Sequence, residues 1–334
     1  MKIGLSLVDL AMGGAQNFFV QLAQGLANRG HIISTYMHSS RDDPIHTAPT
    51  LLASLESVAE FVTRPRNLLA CDVIQLDGYH NLRRKLPYLQ VFHKCVETYH
   101  SSYSIRRSGP YYAPHRIAMS QAIQAALKRS SQVIYQGVPM PVVDWEANRP
   151  FDVAILGRIH PVKQHLLFLE ICELLYQQRG CLNALLVSGH PRPSSYQEKV
   201  DNEIVRLQQS GLNIYLTGYL DSSAVYAQLA QAKILLVTSE SEGYGRMAVE
   251  GLACGLPVIS NPVGGLLEII QAGQTGYFVD LNNASSFAKY ANLFLDNPSL
   301  CQAFARRGRA DVERRFSYEA MLDAYENLYH QVAQ

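Results

Sequence analysis

The stretch Ser239–Val258 reads SESEGYGRMAVEGLACGLPV, and the interpretation of the whole chain starts from it. It follows an apolar run that predicts a strand, turns through Gly243 and Gly245, and enters a short helix. Such a turn directs backbone N–H groups and the positive end of a helix toward one point, which suits a phosphate. The stretch therefore predicts an anion site where a strand ends.

Two carboxylates flank this turn. Glu242 lies before the predicted helix and Glu250 lies within it. Carboxylates only accept hydrogen bonds, and sugar hydroxyls donate them, so the two side chains suit a hydroxyl-rich ligand. We expect one carboxylate to bind a ribose and the other to bind a sugar. A solvated helix face is the alternative interpretation, because most carboxylates are exposed.

Outward from this stretch, strands and helices alternate along both halves of the chain. The predicted strands are residues 2–7, 31–36, 73–76, 95–99, 116–119, 132–135, 152–156, 184–188, 213–216, 234–238 and 257–260. This alternation predicts an α/β fold of two Rossmann-like domains, each a doubly wound parallel sheet, facing a central cleft. The proline-containing segment Gly137–Pro150 predicts the linker between them.

Composition narrows the class of protein. A length of 334 residues suits two domains, and the net charge of +1 gives no reason to expect nucleic acid as a partner. No apolar run is long enough for a membrane span. The six cysteines form no C-x-x-C pair, which is typical of free thiols in a reducing compartment. We therefore expect a cytoplasmic protein that can also bind peripherally at the inner face of the membrane.

Several motifs together resemble the retaining glycosyltransferases of the GT-B fold, and specifically glycosyltransferase family 4, the glycosyl transferases group 1. The motifs that carry this resemblance are Glu242 and Glu250 in a Glu-x7-Glu pattern, Ala253–Val258, Gly264-Gly265 with Glu268, and Gly276–Val279. The resemblance implies transfer of a hexose-type sugar from a UDP- or GDP-sugar. It implies a glycan, lipid-linked or small-molecule acceptor, and neither a cofactor nor a divalent metal.

Two cations upstream fit this reaction. Arg158 and Lys163 resemble the Arg and Lys with which the family binds the donor diphosphate. A leaving nucleoside diphosphate gains negative charge as the glycosidic bond breaks, and fixed cations stabilise that charge. No Asp-x-Asp motif occurs in the sequence, so the metal-binding carboxylates of the other large transferase class are absent.

The resemblance also implies individual roles. It makes His100 and Glu242 catalytic, and it adds Ser120 as a residue facing the donor. The residues that it implies for donor binding are Gly13, Gly14, Arg158, Lys163, Gly189, Tyr219, Glu242, Tyr244, Gly245, Arg246, Met247 and Glu250. Many relatives have an apolar residue at the position of Arg246, so this side chain either adds a cation near the phosphates or points to solvent.

The resemblance divides the chain by role. Residues 1–145 with the C-terminal helix 317–334 are expected to bind the acceptor, and residues 146–316 are expected to bind the donor. The segment Tyr79–Arg116 is basic, and within it we expect acceptor-binding residues for an acidic acceptor or anionic lipid headgroups. These residues are Arg83 with its neighbours Arg84 and Lys85, and Arg106 with Arg107. An ordinary solvated surface is the alternative.

Other functions stay open at this point. One is a nucleotide-sugar binding protein without activity, and another is an NAD-dependent oxidoreductase. The segment Met12–Ala15 lacks the G-x-G-x-x-G spacing, and no acid closes the second predicted strand, which argues against NAD. Among enzymes, an epimerase or a phosphorylase is the nearest rival.

Overall fold

The computed structural model describes residues 1–10, 14–41, 47–101, 104–106, 112–189, 194–220 and 222–334. Within these ranges the chain separates into two compact units. The first comprises Met1–Gly137 together with Tyr318–Gln334, and the second comprises Val138–Ser317. The C-terminal segment therefore packs with the N-terminal part of the chain, although the two are far apart in sequence.

The strands belong to two sheets, β1–β7 in the first unit and β8–β13 in the second. In chain order they are β1 (Lys2–Leu7), β2 (Ile32–Met37), β3 (Ala59–Phe61), β4 (Val73–Asp77), β5 (Cys95–Tyr99), β6 (His115–Ala118), β7 (Gln132–Val133), β8 (Phe151–Leu156), β9 (Asn183–Val187), β10 (Asn213–Leu216), β11 (Ala232–Val237), β12 (Val258–Ser260) and β13 (Gly276–Phe278).

The α-helices lie between these strands and after them. In chain order they are α1 (Gly14–Asn28), α2 (Pro49–Glu56), α3 (Leu82–Lys85), α4 (Gln121–Leu127), α5 (His165–Arg179), α6 (Ser195–Gln209), α7 (Ser222–Leu229), α8 (Arg246–Ala253), α9 (Leu266–Ile269), α10 (Ala284–Asp296), α11 (Pro298–Arg315) and α12 (Tyr318–Ala333). Short 3₁₀ helices add Pro65–Ala70, Leu86–Lys94 and Pro161–Lys163.

Both sheets share the same order over their first six strands in sequence, and the first sheet has a seventh strand at its edge. The first has the order β3-β2-β1-β4-β5-β6-β7, and the second has the order β10-β9-β8-β11-β12-β13. The pairings between these strands are parallel. The direction of winding reverses between β1 and β4 in one sheet and between β8 and β11 in the other. In such sheets ligands bind at the carboxyl ends of the strands that flank the reversal.

The predicted α/β class with two doubly wound parallel sheets is confirmed. It could be predicted because helices cover both faces of a parallel sheet, so its strands read as continuous apolar runs. In the second unit, for example, Val153, Ala154 and Leu235 are 0% exposed. The predicted central cleft stays a prediction.

Some predicted boundaries were wrong. The predicted strand 132–135 is only Gln132–Val133, at the edge of its sheet. The last helix, predicted as residues 317–334, is α12 over Tyr318–Ala333, and α11 before it ends at Arg315. The next residue, Phe316, leaves helical geometry with φ −131° and ψ 22° and is buried. Sequence patterns missed β3, because it is a three-residue edge strand that is only partly buried.

The first unit contains a buried ion pair that corrects another expectation. Lys85 Nζ lies 2.7 Å from Glu97 Oε1, and the two side chains are 1% and 0% exposed. Glu97 also accepts a hydrogen bond from the backbone N–H of Ala113 at 3.0 Å. Lys85 therefore serves the core and is not a surface cation available to an acceptor, because burial of Glu97 requires a cationic partner.

Two further observations concern the environment of the chain. None of the helices among the described residues combines the length and the apolar composition that crossing a bilayer requires. The thiols of Cys71, Cys95, Cys172, Cys181, Cys254 and Cys301 are free.

We predict that Lys85→Met destabilises the first unit strongly. The substitution leaves the Glu97 carboxylate buried without its cation, which costs about 3 to 5 kcal/mol of the free energy of unfolding. Chemical denaturation followed by circular dichroism measures the loss. The control is the double variant Lys85→Met with Glu97→Gln, which should recover much of the stability. Equal losses in the single and double variants would contradict this account.

Candidate functional site

The predicted anion site lies at the carboxyl ends of β8 and β11, the strands that flank the reversal of the second sheet. The loop after β8 carries Arg158 and Lys163, and the loop after β11 carries Glu242 and leads into α8. Lys163 and Glu242 are 79 residues apart in sequence. Parallel pairing of β8 with β11 brings the two loops to the same edge of the sheet.

Hydrogen bonds join the loops at this edge. The backbone N–H of Glu240 donates to the carbonyl of Val162 at 2.9 Å. Thr238 Oγ1 donates to the carbonyl of Lys163 at 2.8 Å. Asn261, which follows β12, donates from Nδ2 to the carbonyl of Thr238 at 3.0 Å. Three neighbouring strand ends thus fix one another's backbone.

Two glycines after β12 allow backbone to pack on backbone. A Cβ atom on Gly264 would lie 1.7 Å from the carbonyl oxygen of Glu242, and Gly264 has φ +53°. A Cβ atom on Gly265 would lie 2.2 Å from the carbonyl oxygen of Tyr244. Only glycine lets the chain approach so closely. The conformation of the loop that carries Glu242 therefore depends on these two glycines.

The cations of the loop after β8 differ in their contacts. Lys163 Nζ forms an ion pair with Glu242 Oε1, and the two side chains are 17% and 9% exposed. Arg158 is exposed, and its guanidinium has no ion-pair partner in the described part of the chain. A guanidinium can bind phosphate through two parallel hydrogen bonds. Arg158 is therefore available to bind an anion at this edge of the sheet.

The second carboxylate is held by its own helix. Arg246 Nε donates to Glu250 Oε1 at 2.7 Å, and the two side chains are 13% and 12% exposed. Tyr226 donates from its hydroxyl to the same oxygen at 3.5 Å. The expectation that Arg246 points to solvent is therefore wrong, because the residue one turn along α8 is an acid. Its alternative role, as a cation near the phosphates, stays a prediction.

At the start of α8, backbone N–H groups are better placed than side chains to bind a ligand. Gly245 has φ +96° and caps the helix, and a Cβ atom there would lie 2.6 Å from Leu266 Cδ2. The side chains of Tyr244 and Met247 are buried, at 6% and 9% exposure. These two residues can therefore meet a ligand mainly through their N–H groups, which suits an anion at a helix N-terminus.

The far end of α8 is anchored by cations. Arg149 donates from Nη2 to the carbonyl of Cys254 at 3.1 Å and from Nη1 to that of Gly255 at 3.2 Å, and Arg309 donates to the carbonyl of Ala253. Cations stabilise the negative end of a helix. The ring of Trp145 lies beside Gly255, with the guanidinium carbon of Arg306 4.3 Å from the ring centroid.

Gly189 and Tyr219, which the resemblance implies for donor binding, lie together. A Cβ atom on Gly189 would lie 2.4 Å from the backbone nitrogen of Tyr219. The carbonyl of Gly189 accepts a hydrogen bond from Ile159, the residue after Arg158, at 3.2 Å. The loops after β9 and β10 therefore border the loop after β8. Tyr219 is 44% exposed, so its ring is accessible.

The predicted residues of the first unit include one unusual group, His100. Its ring contacts those of Phe18 and Phe19, with centroids 5.1 and 5.5 Å away. Burial lowers the pKa of His100 to about 3, so the imidazole is neutral at physiological pH. Its Nε2 atom is buried and has no hydrogen-bond partner among the described residues. A native structure rarely leaves such an atom unpaired, and the catalytic role of His100 stays a prediction.

The other predicted residues of this unit have simpler surroundings. Gly14 begins α1 and is exposed. Ser120 is the N-cap of α4, and its hydroxyl accepts a hydrogen bond from the N–H of Ile123 at 3.1 Å, so it has a structural task. Gly13 lies outside the described residues.

The basic segment separates into surface and structural residues. Arg83 and Arg106 are exposed. Arg116 instead donates to the backbone carbonyls of Ala113 and Ser130, at 2.6 and 2.7 Å, so it braces loops. Arg107 lies outside the described residues.

Sequence reasoning missed three contributors to the site: Tyr226, Asn261 and Arg149. Asn261 could have been found from the sequence, because it directly follows the predicted strand that ends at Ser260. Tyr226 and Arg149 had none, since each meets its partner through contacts between residues distant in sequence.

Comparisons with known proteins concern the second unit and the whole fold. The sequence profile of Glycosyl transferases group 1 matches residues 145–311, which is half of the chain. N-acetyl-alpha-D-glucosaminyl L-malate synthase of Bacillus anthracis is 35% identical over 104 residues, which cover 31% of this chain and 27% of that relative. An uncharacterized glycosyltransferase of Methanocaldococcus jannaschii is 30% identical over 62% of this chain and 55% of that relative. The chain thus matches only about a quarter and about half of their lengths.

Among solved structures, HepE of Anabaena in complex with UDP superposes on this chain with a TM-score of 0.79. The superposition covers 99% of this chain and 100% of that one, at 18% sequence identity. It establishes a shared fold over nearly the whole chain.

We predict that Gly264→Ala destabilises the second unit much more than Gly273→Ala. Both glycines have positive φ, +53° and +76°, but no atom lies within 4 Å of a Cβ on Gly273. The control should lose about 1 to 2 kcal/mol from left-handed strain alone. Gly264→Ala adds a backbone collision and should lose clearly more. Thermal unfolding measures both, and equal losses would contradict the proposed packing.

We also predict that Arg246→Met destabilises the second unit by about 1.5 to 3 kcal/mol, because it removes a charged hydrogen-bond partner of Glu250. The matched control is Arg314→Met, since Arg314 also pairs with an acid of its own helix, Asp311, but is 71% exposed. That change should cost less than about 0.5 kcal/mol. Unfolding followed by tryptophan fluorescence distinguishes the two variants. An Arg246→Met variant as stable as the wild type would refute the prediction.

Proposed function

Since the chain belongs to the family of glycosyl transferases group 1, we propose that it transfers a hexose-type sugar from a nucleotide-diphosphate sugar to an acceptor hydroxyl. The observation that carries the proposal is the meeting of Arg158, Lys163 and the Glu242 loop at the reversal of the second sheet. This is where parallel α/β sheets bind ligands, and its groups suit a diphosphate linked to a sugar.

We assign the donor to the second unit. The Arg158 guanidinium and the Lys163 ammonium bind the diphosphate, together with the N–H groups at the start of α8. The Glu250 carboxylate accepts hydrogen bonds from the ribose, and Gly189 and Tyr219 border the base. The donor is a UDP- or GDP-sugar. The UDP in the HepE structure of Anabaena supports a UDP-sugar as the donor.

The position of Glu250 supports its assigned role. A carboxylate that binds a ribose must be ionised and correctly oriented before the ligand arrives. The Arg246 Nε–H, which donates to Glu250 Oε1 at 2.7 Å, holds the carboxylate in one orientation. Arg246 thus acts through Glu250, whatever it contributes directly to the phosphates.

We assign the acceptor to the first unit, residues 1–137 with 318–334. Within the second unit, we assign Glu242 to the transferred sugar. The unpaired Nε2 of the neutral His100 ring can share a hydrogen bond with a sugar hydroxyl. Lys163 keeps Glu242 in place until the donor binds. The acceptor is a glycan, a lipid-linked sugar or a small molecule, and Arg83, Arg106 and Arg107 are candidates for holding it.

The chemical step that we propose is the one that the resemblance to the retaining glycosyltransferases implies. The bond from the sugar's anomeric carbon to the diphosphate oxygen breaks while a bond to the acceptor oxygen forms on the same face. Because the new bond forms on the face that the diphosphate leaves, the configuration is retained. The acceptor proton passes to the departing phosphate oxygen, so no protein base is needed. Arg158 and Lys163 stabilise the charge that develops on the leaving group, which is the task that a divalent metal performs elsewhere.

We predict that UDP raises the melting temperature of the protein in a screen of nucleoside diphosphates. A ligand at 100 times its Kd stabilises by about 2.7 kcal/mol. Arg158→Met should weaken UDP binding at least ~10-fold, which is about 1.4 kcal/mol, and should leave the unliganded melting temperature unchanged. Arg206→Met is the control, because Arg206 is half exposed and paired with Glu173 and Glu203.

Turnover completes this test. Hydrolysis of the matching nucleotide sugar should persist in EDTA, since the cations that stabilise the leaving group belong to the chain. Absence of any response to UDP, GDP and their sugars would overturn the proposed function. Binding without hydrolysis or transfer would favour an inactive nucleotide-sugar binding protein.

A further inference from the structure

The reversal of the first sheet, between β1 and β4, carries a polar cluster to which the proposed reaction gives no task. Its centre is Ser6 near the end of β1. Ser6 Oγ lies 2.9 Å from His80 Nε2, 3.2 Å from His38 Nε2, and 2.8 Å from the Tyr88 hydroxyl. These four side chains come from β1, from just after β2, and from the segment after β4.

The hydrogen bonds fix where the protons lie. His80 Nδ1 donates to the carbonyl of Asp77 at 2.7 Å, so His80 Nε2 accepts the Ser6 proton. Tyr88 then donates to Ser6. Burial, with the nearby Arg84 charge, lowers the pKa of His38 to about 4, and burial lowers that of His80 well below its usual value. The cluster is therefore neutral near pH 7.

Arg84 borders this neutral cluster and is the exception. Its Nη1 atom is buried and has no hydrogen-bond partner within the described ranges. Its backbone N–H donates to the Asn81 side chain, which fixes the start of α3. Across the described ranges, no acid forms an ion pair with Arg84. A buried N–H of a cation without a partner is costly, so native structures seldom retain one without a purpose.

The acids nearby are engaged elsewhere. Glu97 pairs with Lys85 at 2.7 Å. Asp77 accepts the backbone N–H of Tyr79 at 3.0 Å, and burial raises its pKa to about 7, so its charge is weakened at neutral pH. Asp9 accepts a hydrogen bond from the Gln16 side chain at 2.9 Å. Among the described residues, the positive charge of Arg84 is thus left without an acidic partner.

We propose that Arg84, at the carboxyl ends of β1, β2 and β4, binds a phosphate group on the acceptor, with His38 as a hydrogen-bonding neighbour. The assignment to the acceptor rests on the proposed transfer reaction. Phosphate fits because guanidinium binds it through paired hydrogen bonds and because parallel sheets bind ligands at this position. The neutral side chains around it suit the hydroxyl groups of the same molecule.

Inorganic phosphate, titrated into the full chain at constant ionic strength, tests the site. The readout is the ring C–H NMR signals of the histidines, with His38 assigned from a His38→Gln variant. We expect a saturable shift of His38, weakened at least ~10-fold by Arg84→Met. The matched control is Arg66→Met, since Arg66 is an exposed arginine of the same unit in the 3₁₀ helix that precedes β4, and it should leave the shift unchanged.

Several outcomes would overturn the proposal. One is an unchanged His38 shift in Arg84→Met, and another is a response confined to His160, which lies in the loop after β8 and reports phosphate at Lys163. If Arg84→Met does not fold, Arg84→Lys keeps the charge without the planar fork and should still bind more weakly than the wild type. Wild-type affinity in a folded Arg84→Lys also overturns it.

Two sources of phosphate are then compared. Competition by glycerol 3-phosphate at the His38 signal supports a small phosphorylated acceptor. Sedimentation with vesicles of phosphatidylglycerol in phosphatidylcholine, lost in Arg84→Met and kept in Arg66→Met, supports a lipid phosphate. A response to neither overturns the assignment to the acceptor. UDP binding is measured separately, so its loss overturns the proposed function and leaves the phosphate result standing.

Discussion

The close packing of backbone on backbone after β11 and β12 is the constraint on which the second unit's site depends. Gly264 and Gly265 lie against the carbonyls of Glu242 and Tyr244, where no side chain fits. This contact sets the direction in which the chain enters α8. The direction of α8 in turn decides where the Arg246 and Glu250 side chains lie, and it turns the N–H groups of the first turn toward the strand ends.

Much of the fold could be predicted from the sequence for one physical reason. Parallel strands are covered on both faces, so they appear as uninterrupted apolar runs that stop at glycines and polar turns. The predicted strands 95–99 and 213–216 coincide with β5 and β10. The short, partly exposed β3 lacks this signature, which explains why the segment around it gave no clear pattern. The family prediction is confirmed by the profile match, whereas the roles of single residues stay predictions.

The pairing of charged side chains could not be predicted. Glu242 and Glu250 appear equivalent in the sequence, but Lys163 binds one and Arg246 binds the other. Likewise Lys85 and Arg84 are adjacent in a basic run, yet one neutralises Glu97 in the core and the other has an unpaired N–H. Such differences arise because adjacent residues point in different directions once the chain folds, and the counts of charges in a segment carry no information about direction.

The surroundings of Trp145 have an optical consequence. It is the chain's single tryptophan, and its indole lies under the guanidinium of Arg306 beside Gly255, just past the end of α8. Emission from this indole therefore comes from one known position, and a nearby cation makes its wavelength sensitive to small displacements. The native protein thus carries a built-in spectroscopic probe at the opposite end of the helix whose first turn borders the candidate donor site.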